Sequence, residues 1–396
     1  MKVYLVGGAV RDGLLGLPVK DKDFMVVGTD TATMLAHGFS QVGADFPVFL
    51  HPDTHAEYAL ARLERKVGTG HTAFSVQSSP DVSLADDLLR RDLTINALAI
   101  EVTGLFDDTP ITGEVMDYYG GLDDLHAKVL RHVSPAFSED PLRVLRVARF
   151  YARFAPLGFV IHDDTQALMQ SIAAQGELSH LSRERIWQET ARAIAEPHGY
   201  HYIDCLHRLG ILAHLLPTLA ERLANYDTYQ AMMTRLQNAC RANSPLATRL
   251  AMLFSVFGDD INGLNDCLTR LNVPKAIGQF IHAFIHYRAT LLALPNITAE
   301  QLLTVIEHTK AHKDDTLLMS LYDACEIYQN KSMPYPKAWL ADAISRYQSI
   351  GMANIDSTLT GKAIGDELTR LRTQALYGLI GNFQMANALT IFYILN

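Results

Sequence analysis

The chain has 396 residues, enough for about two to four domains and a sizeable core. Apolar residues make up 48% and charged residues 19%, an ordinary globular composition that excludes wholesale disorder. Asp and Glu number 43 against 34 Lys and Arg; the net charge of −9 argues against a chain that coats nucleic acid by bulk charge and leaves only local clusters of Lys and Arg for that purpose.

In chain order, Val3 to Val6 is a short apolar run that ends at Gly7-Gly8, the pattern of a strand entering a tight turn, and a helix is predicted over 9–15. Further strands are predicted over 24–27, 48–50 and 58–63, with a helix over 31–36 between them. The stretch 67–80, with Gly68, Gly70 and Ser78-Ser79-Pro80, reads as a mobile loop. Strand signals fade beyond Pro135. Helices are predicted over 142–154, 164–174, 184–195, 201–209, 229–242, 245–257, 278–294, 299–309 and 336–348, separated by Pro and Gly turns. The expected fold class is α+β: a small mixed sheet in a head over 1–134, then an all-α neck over 135–217 and an all-α body and tail over 218–396.

Cys205, Cys240, Cys267 and Cys325 form no C-x-x-C pair, which indicates neither a zinc ribbon nor a disulfide framework and fits a reducing cytosol. No run of about 18 apolar residues is present, so no membrane association is expected and the protein is placed in the cytoplasm.

Three features of the head carry chemistry. In Leu5-Val6-Gly7-Gly8-Ala9-Val10-Arg11-Asp12 the glycines let backbone approach a phosphate, and Arg11 adds a fork of donors one turn later; an ordinary tight turn is the structural alternative. Asp21 and Asp23, two apart before an expected strand, point to one face and repel each other unless cations intervene. A pair of Mg²⁺ ions answers that repulsion and suits in-line displacement at phosphorus; a solvated surface pair is the alternative. The run Arg90-Arg91-Asp92-Leu93-Thr94-Ile95-Asn96-Ala97 offers grips for triphosphate and ribose hydroxyls, or a solvated helix end.

In the neck, Asp140-Pro141 reads as a helix start, with the acid as N-cap. Arg143, Arg146, Arg149 and Arg153 then share one broad helical face, with Phe150 at the seam. The helix has no acid between these arginines, and Arg is the better fork for phosphate and bases.

These runs, in this order and spacing, closely resemble the class II tRNA nucleotidyltransferases, the CCA-adding enzymes of the polymerase-β-like superfamily. Further matches are Asp45-Phe46-Pro47-Val48-Phe49-Leu50-His51-Pro52, Tyr58-Ala59-Leu60-Ala61-Arg62 and Gly121-Leu122-Asp123-Asp124-Leu125, so the likeness extends from Met1 to about Pro217. The resemblance implies a polymerase-β-like nucleotidyltransferase head that adds CCA to tRNA 3′ ends from CTP and ATP with two-metal chemistry and release of pyrophosphate. It assigns Gly8 and Arg11 to the triphosphate, Asp21 and Asp23 to Mg²⁺ and catalysis, and Arg91 to the nucleotide. Superfamily members often add a third carboxylate on a neighbouring strand; Glu64 is the candidate, with an exposed strand-end Glu as the equal alternative.

The resemblance gives Asp140 and Arg143 the reading of the base, and Arg146 and Arg149 a phosphate. A carboxylate accepts from the amino group of cytosine or adenine while a guanidinium donates to the ring nitrogen. Uracil and guanine reverse both contacts and are rejected. The loop at 67–80 is expected to assist the switch from CTP to ATP.

Proteobacterial relatives often carry a C-terminal HD phosphohydrolase domain. Here the sole His-Asp doublet is His162-Asp163, read as a helix-capping turn with Asp163 or Asp164 as cap, so no such domain is expected. Gly361 to Leu368 resembles a short terminal family motif, and the apolar stretch 379–396 is expected to be a docked helix. A partial A- or C-adding enzyme and a poly(A) polymerase share the head motifs and stay as alternatives. A non-catalytic RNA-binding protein fits less well, because it has no need of paired carboxylates.

Overall fold

The computed structural model describes residues 1–42, 48–66, 74–78, 80–102, 113–294 and 296–395, without the side chains of 63–66, 74–78 and 384–395. It resolves into two compact units, Met1–Ala220 with Arg270–Asn272, and Glu221–Thr269 with Val273–Asn396.

The first unit is built on a mixed sheet. Its strands are β1 (Lys2–Val6), β2 (Asp23–Val27), β3 (Ser40–Val42), β4 (Val48–Leu50) and β5 (Glu57–Leu60); β6 (Arg62–Lys66) and β7 (Phe74–Ser78) form a separate hairpin, and β8 (Leu98–Val102) and β9 (Val115–Asp117) return to the sheet. The sheet order is β3-β4-β5-β2-β1-β8-β9, antiparallel throughout except for the parallel pair β2–β5. Period-two alternation sorts the side chains. Val3, Leu5, Phe24, Val26 and Tyr58 enter one core with Val10, Met34 and Phe49, whereas Tyr4, Val6 and Met25 enter the other with Leu84 and Leu88. Both faces are therefore covered, which is why these strands read as near-continuous apolar runs.

Several expectations change. The run expected as one strand over 58–63 breaks at Ala61, between β5 and β6. Part of the expected loop at 67–80 is strand β7, paired in register with β6 from Arg62↔Ser78 to Lys66↔Phe74; residues 67–73 and 79 lie outside the described residues. Strands β3, β8 and β9 are additional. Asp117 orders the chain after β9, its carboxylate accepting from the backbone N–H groups of Tyr119, Gly121 and Leu122. A short parallel ladder, Val129–Leu130 with Val160–Ile161, adds strand after residue 135.

The neck helices follow the pattern closely. Leu142–Phe154 has the expected bounds, and Asp163–Ala174 and Arg183–Ala195 each begin one residue early. His162, not Asp163 or Asp164, is the residue that caps: its Nδ1 accepts from the N–H of Asp164 at 3.2 Å. In the second unit, Tyr226–Arg241, Leu246–Phe254, Lys275–Ala293 and Thr316–Gln329 pack on one another. The long helix Lys362–Leu395 docks on Ala299–His308 and Lys337–Ser349, with Leu376, Leu379 and Ile380 buried. All four cysteines are buried free thiols, and no described helix is long and apolar enough to cross a membrane.

Candidate active site

The antiparallel register Val6↔Asp23 sets the end of β1 against the start of β2, so the glycine turn and the aspartate pair converge. Gly7 turns with φ +69°, and a Cβ there would lie 3.0 Å from Arg91 Nη1. Only glycine accepts that geometry without cost. The helix Gly8–Leu14 follows directly. Gly7→Ala is expected to displace Arg91 and, if Arg91 contacts the nucleotide as the resemblance implies, to raise the KM for CTP about tenfold or more, read in steady-state incorporation assays.

Asp23 opens β2, but Asp21 precedes the strand rather than lying on it. The two carboxylates still feel each other. Burial pushes the Asp23 carboxyl up, Arg91 opposes that, and Asp21 raises it further. Side chains paired in a parallel ladder face the same way, and the partner of Asp23 on β5 is Glu57, which lines a cleft of about 590 Å³ with Asp23, Arg62, Arg90 and Arg91. Glu57 was not among the expected site residues, since only the pairing of β2 with β5 reveals it. Glu64 lies on β6, and its side chain is outside the described residues.

Gly8, Arg11, Asp21, Asp23, Arg91, Asp140, Arg143, Arg146 and Arg149 line a single adjoining cleft of about 530 Å³. Its arginines are not bare. Arg11 is buried; its Nε and Nη2 donate to Asp12 at 2.9 and 2.8 Å, and its Nη1 donates to Asn96. Asn96 donates onward to Asp92 at 2.9 Å, and Asp92 accepts from Arg146 at 2.8 Å. Glu189, from the helix Arg183–Ala195, accepts from Arg149 at 2.6 Å and lies 3.6 Å from Arg146. Arg153 closes the circuit on Asp12 at 2.9 Å. The guanidinium groups of Arg11, Arg146 and Arg149 sit 4.5 to 5.6 Å from the ring centroid of Phe150. The helix lacks acids, yet distant segments supply them.

Burial would raise the Asp92 carboxyl, but Arg146 and the Asn96 amide outweigh it and hold the group down at about 2. The same pairing raises Arg146, whereas burial lowers Arg11 and Arg143. Arg143 differs from the other arginines of its helix in donating to backbone carbonyls, those of Ala136 and Arg90.

The helix begins at Leu142, and Pro141 rather than Asp140 holds the cap position. Asp140 still serves it, accepting from the Leu142 N–H at 3.1 Å through Oδ1. Its Oδ2 accepts from Arg185 at 2.8 Å. Arg185 is a second residue missed by local pattern; its Nη1 is buried and has no hydrogen-bond partner among the described residues.

The acid pair fits a divalent ion on donor chemistry. Two carboxylates supply two oxygen ligands and leave the remaining octahedral positions to nucleotide phosphates and water, the usual arrangement for Mg²⁺. Among the described residues no set of three His, Cys, Asp or Glu side chains is gathered as a metal cage.

Paired carboxylates, a glycine turn and an ordered arginine wall at the ends of the central strands β1 and β2 have the make-up of a nucleotidyl-transfer site. Residues 3–131 match the poly A polymerase head domain, and residues 158–223 match a module described as a probable RNA and SrmB-binding site of polymerase A. The chain is 38% identical over 408 residues to the multifunctional CCA protein of Acinetobacter baumannii, covering 95% of this chain and 97% of that protein. It shares the fold of an apo CCA-adding enzyme (TM-score 0.65, 21% identity, 98% of this chain and 92% of the other). It also shares that of the Thermotoga maritima CCA-adding enzyme complexed with tRNA (TM-score 0.60, 20% identity, 97% and 91%). The chain belongs to the class II tRNA nucleotidyltransferases, the CCA-adding enzymes, whose members use divalent metal.

Proposed function

We propose that the chain completes tRNA 3′ ends with CCA, taking CTP twice and then ATP, with Mg²⁺ as its metal. The observation that carries this is the single cleft shared by the Gly7-Gly8 turn, Asp21, Asp23 and the Asp140–Arg153 face. In the reaction the terminal 3′-hydroxyl of the RNA attacks the α-phosphorus of the nucleotide and pyrophosphate departs. Asp21 and Asp23 would hold a divalent ion, which would supply Lewis-acid stabilisation of the charge that develops at phosphorus. Gly8 and Arg11 bind the triphosphate and hold it in line, and Arg91 contacts the nucleotide. Arg146 and Arg149 face phosphate with forks already oriented by Asp92 and Glu189, so little side-chain freedom is lost on binding.

Asp140 and Arg143 read the base. Asp140 is aimed by the Leu142 N–H and by Arg185. Asp140→Asn replaces an acceptor-only group with an amide that also donates. It is expected to raise UTP incorporation relative to CTP by about 10- to 100-fold, read by single-nucleotide extension of tRNA ending at the discriminator base. Residues 218–396 serve as the RNA-binding body, and the four buried thiols support a reducing, cytoplasmic setting.

The test is direct. Purified protein with Mg²⁺ is given tRNA ending at the discriminator base, at C or at CC, with CTP and ATP separately and together. Full CCA synthesis is the expected result; A-addition alone to the CC-ended tRNA would replace this reading with that of an A-adding enzyme.

A further inference from the structure

In the helical unit, Arg235 on Tyr226–Arg241 and Arg288 on Lys275–Ala293 converge on Tyr328 of Thr316–Gln329. Their guanidinium carbons lie 4.1 and 4.6 Å from the ring centroid. Ser255 steadies both: its hydroxyl accepts from Arg235 at 3.1 Å and its carbonyl from Arg288 at 3.3 Å. All three side chains are partly exposed. Among the described residues neither guanidinium has a carboxylate partner, and burial and the charge of Arg288 lower Arg235. Elsewhere in this unit Arg222, Arg346 and Arg370 each hold an acid, Asp260, Asp342 and Glu367. In a chain with more acids than bases, two cations left together without a counter-charge are electrostatically unsatisfied.

We propose that Arg235, Arg288 and Tyr328 form an anchor for the phosphodiester backbone of the RNA substrate. An incoming phosphate supplies the missing negative charge. The donors of the two forks that Ser255 does not use are available to its oxygens, and the ring holds both planes in place. This rests on the reading that the chain acts on tRNA, and it locates part of that grip in the body.

The test uses the full chain. Fluorescence anisotropy with tRNA ending at the discriminator base, across a salt series, is compared for the wild type, R235Q, R288Q and R288K. Each Gln variant is expected to weaken binding about tenfold and to reduce the log–log salt slope by about one, with R288K keeping the slope. In CTP addition the loss is expected in the KM for tRNA rather than the KM for CTP. Phenylglyoxal labelling of the wild type, mapped by mass spectrometry, serves if a Gln variant does not fold. Saturating tRNA is expected to protect Arg235 and Arg288, and CTP is not. Unchanged affinity and slope in folded variants, or equal labelling with and without tRNA, would overturn the anchor. Failure of the wild type to extend tRNA would instead count against the functional reading, and the binding and labelling arms would still decide the anchor.

Discussion

Asp21→Ala or Asp23→Ala is expected to lower CTP and ATP incorporation about 10³-fold, because each would remove a proposed ligand of the charge-stabilising ion while the scaffold stays intact. The stability of the variant separates this role from a structural one. Burial and Asp21 raise the Asp23 carboxyl. A carboxyl raised in the folded state makes stability fall as pH rises from the unfolded value through the folded one. Neutral Asp23→Asn should therefore be at least as stable as wild type at pH 7, and the Tm should hold or rise. Added Mg²⁺ should raise the wild-type Tm, by roughly 2.7 kcal/mol equivalent at a hundredfold excess over Kd, and leave Asp21→Asn/Asp23→Asn unmoved. Thermal melts with and without Mg²⁺ check this without reference to turnover. A variant that melts early would point to a structural role for the carboxylate.

Asp92→Ala is expected to produce the largest loss of stability. It strips Arg146 of its closest carboxylate and Asn96 of its acceptor inside a buried circuit. Breaking such a pair costs about 3–5 kcal/mol, a fall in Tm on the order of 10 °C. The sign of its pH dependence follows from the carboxyl held at about 2. A depressed carboxyl contributes stability that is fully present above its unfolded value, near about 4, and is lost as pH falls toward 2. That contribution is about 2 kcal/mol. Urea unfolding of wild type and variant at pH 7, 5, 4 and 3 should show a gap that is constant at the upper two and shrinks at the lower two. A gap independent of pH would remove the charge from the explanation.

Local pattern carried much of the neck. The arginine helix was legible because its bounds and its faces are set by residues within it, and Leu142–Phe154 has the expected limits. The same locality hid its partners. Asp12, Asp92 and Glu189 lie far from the helix in sequence, so periodicity grouped four arginines on one face without showing that three of them hold an acid. Glu57 was invisible for a related reason: its nearness to Asp23 is a property of the β2–β5 ladder. Strand β8 follows the Arg90–Ala97 motif without a break in composition, and only its pairing with β1 marks it as a strand. The helix Thr316–Gln329, which carries Tyr328, lies in a stretch where no element was expected; its packing against Lys275–Ala293 gives it its place.

The circuit around Phe150 has a consequence for how this chain can change. Arg11, Arg146, Arg149 and Arg153 are held against Asp12, Asp92 and Glu189, with Glu189 serving two of them. A substitution at Glu189 is felt by both arginines at once, so its effect depends on what already stands at 146 and 149. The order in which mutations arrive then decides which sequences can be reached. Reversal of one charge pair is viable only if both members change together, and Glu189 can be released only after one of its arginines has gone. Among homologues these positions should therefore be inherited as linked groups, and a library that varies the arginines alone would sample mostly dead ends.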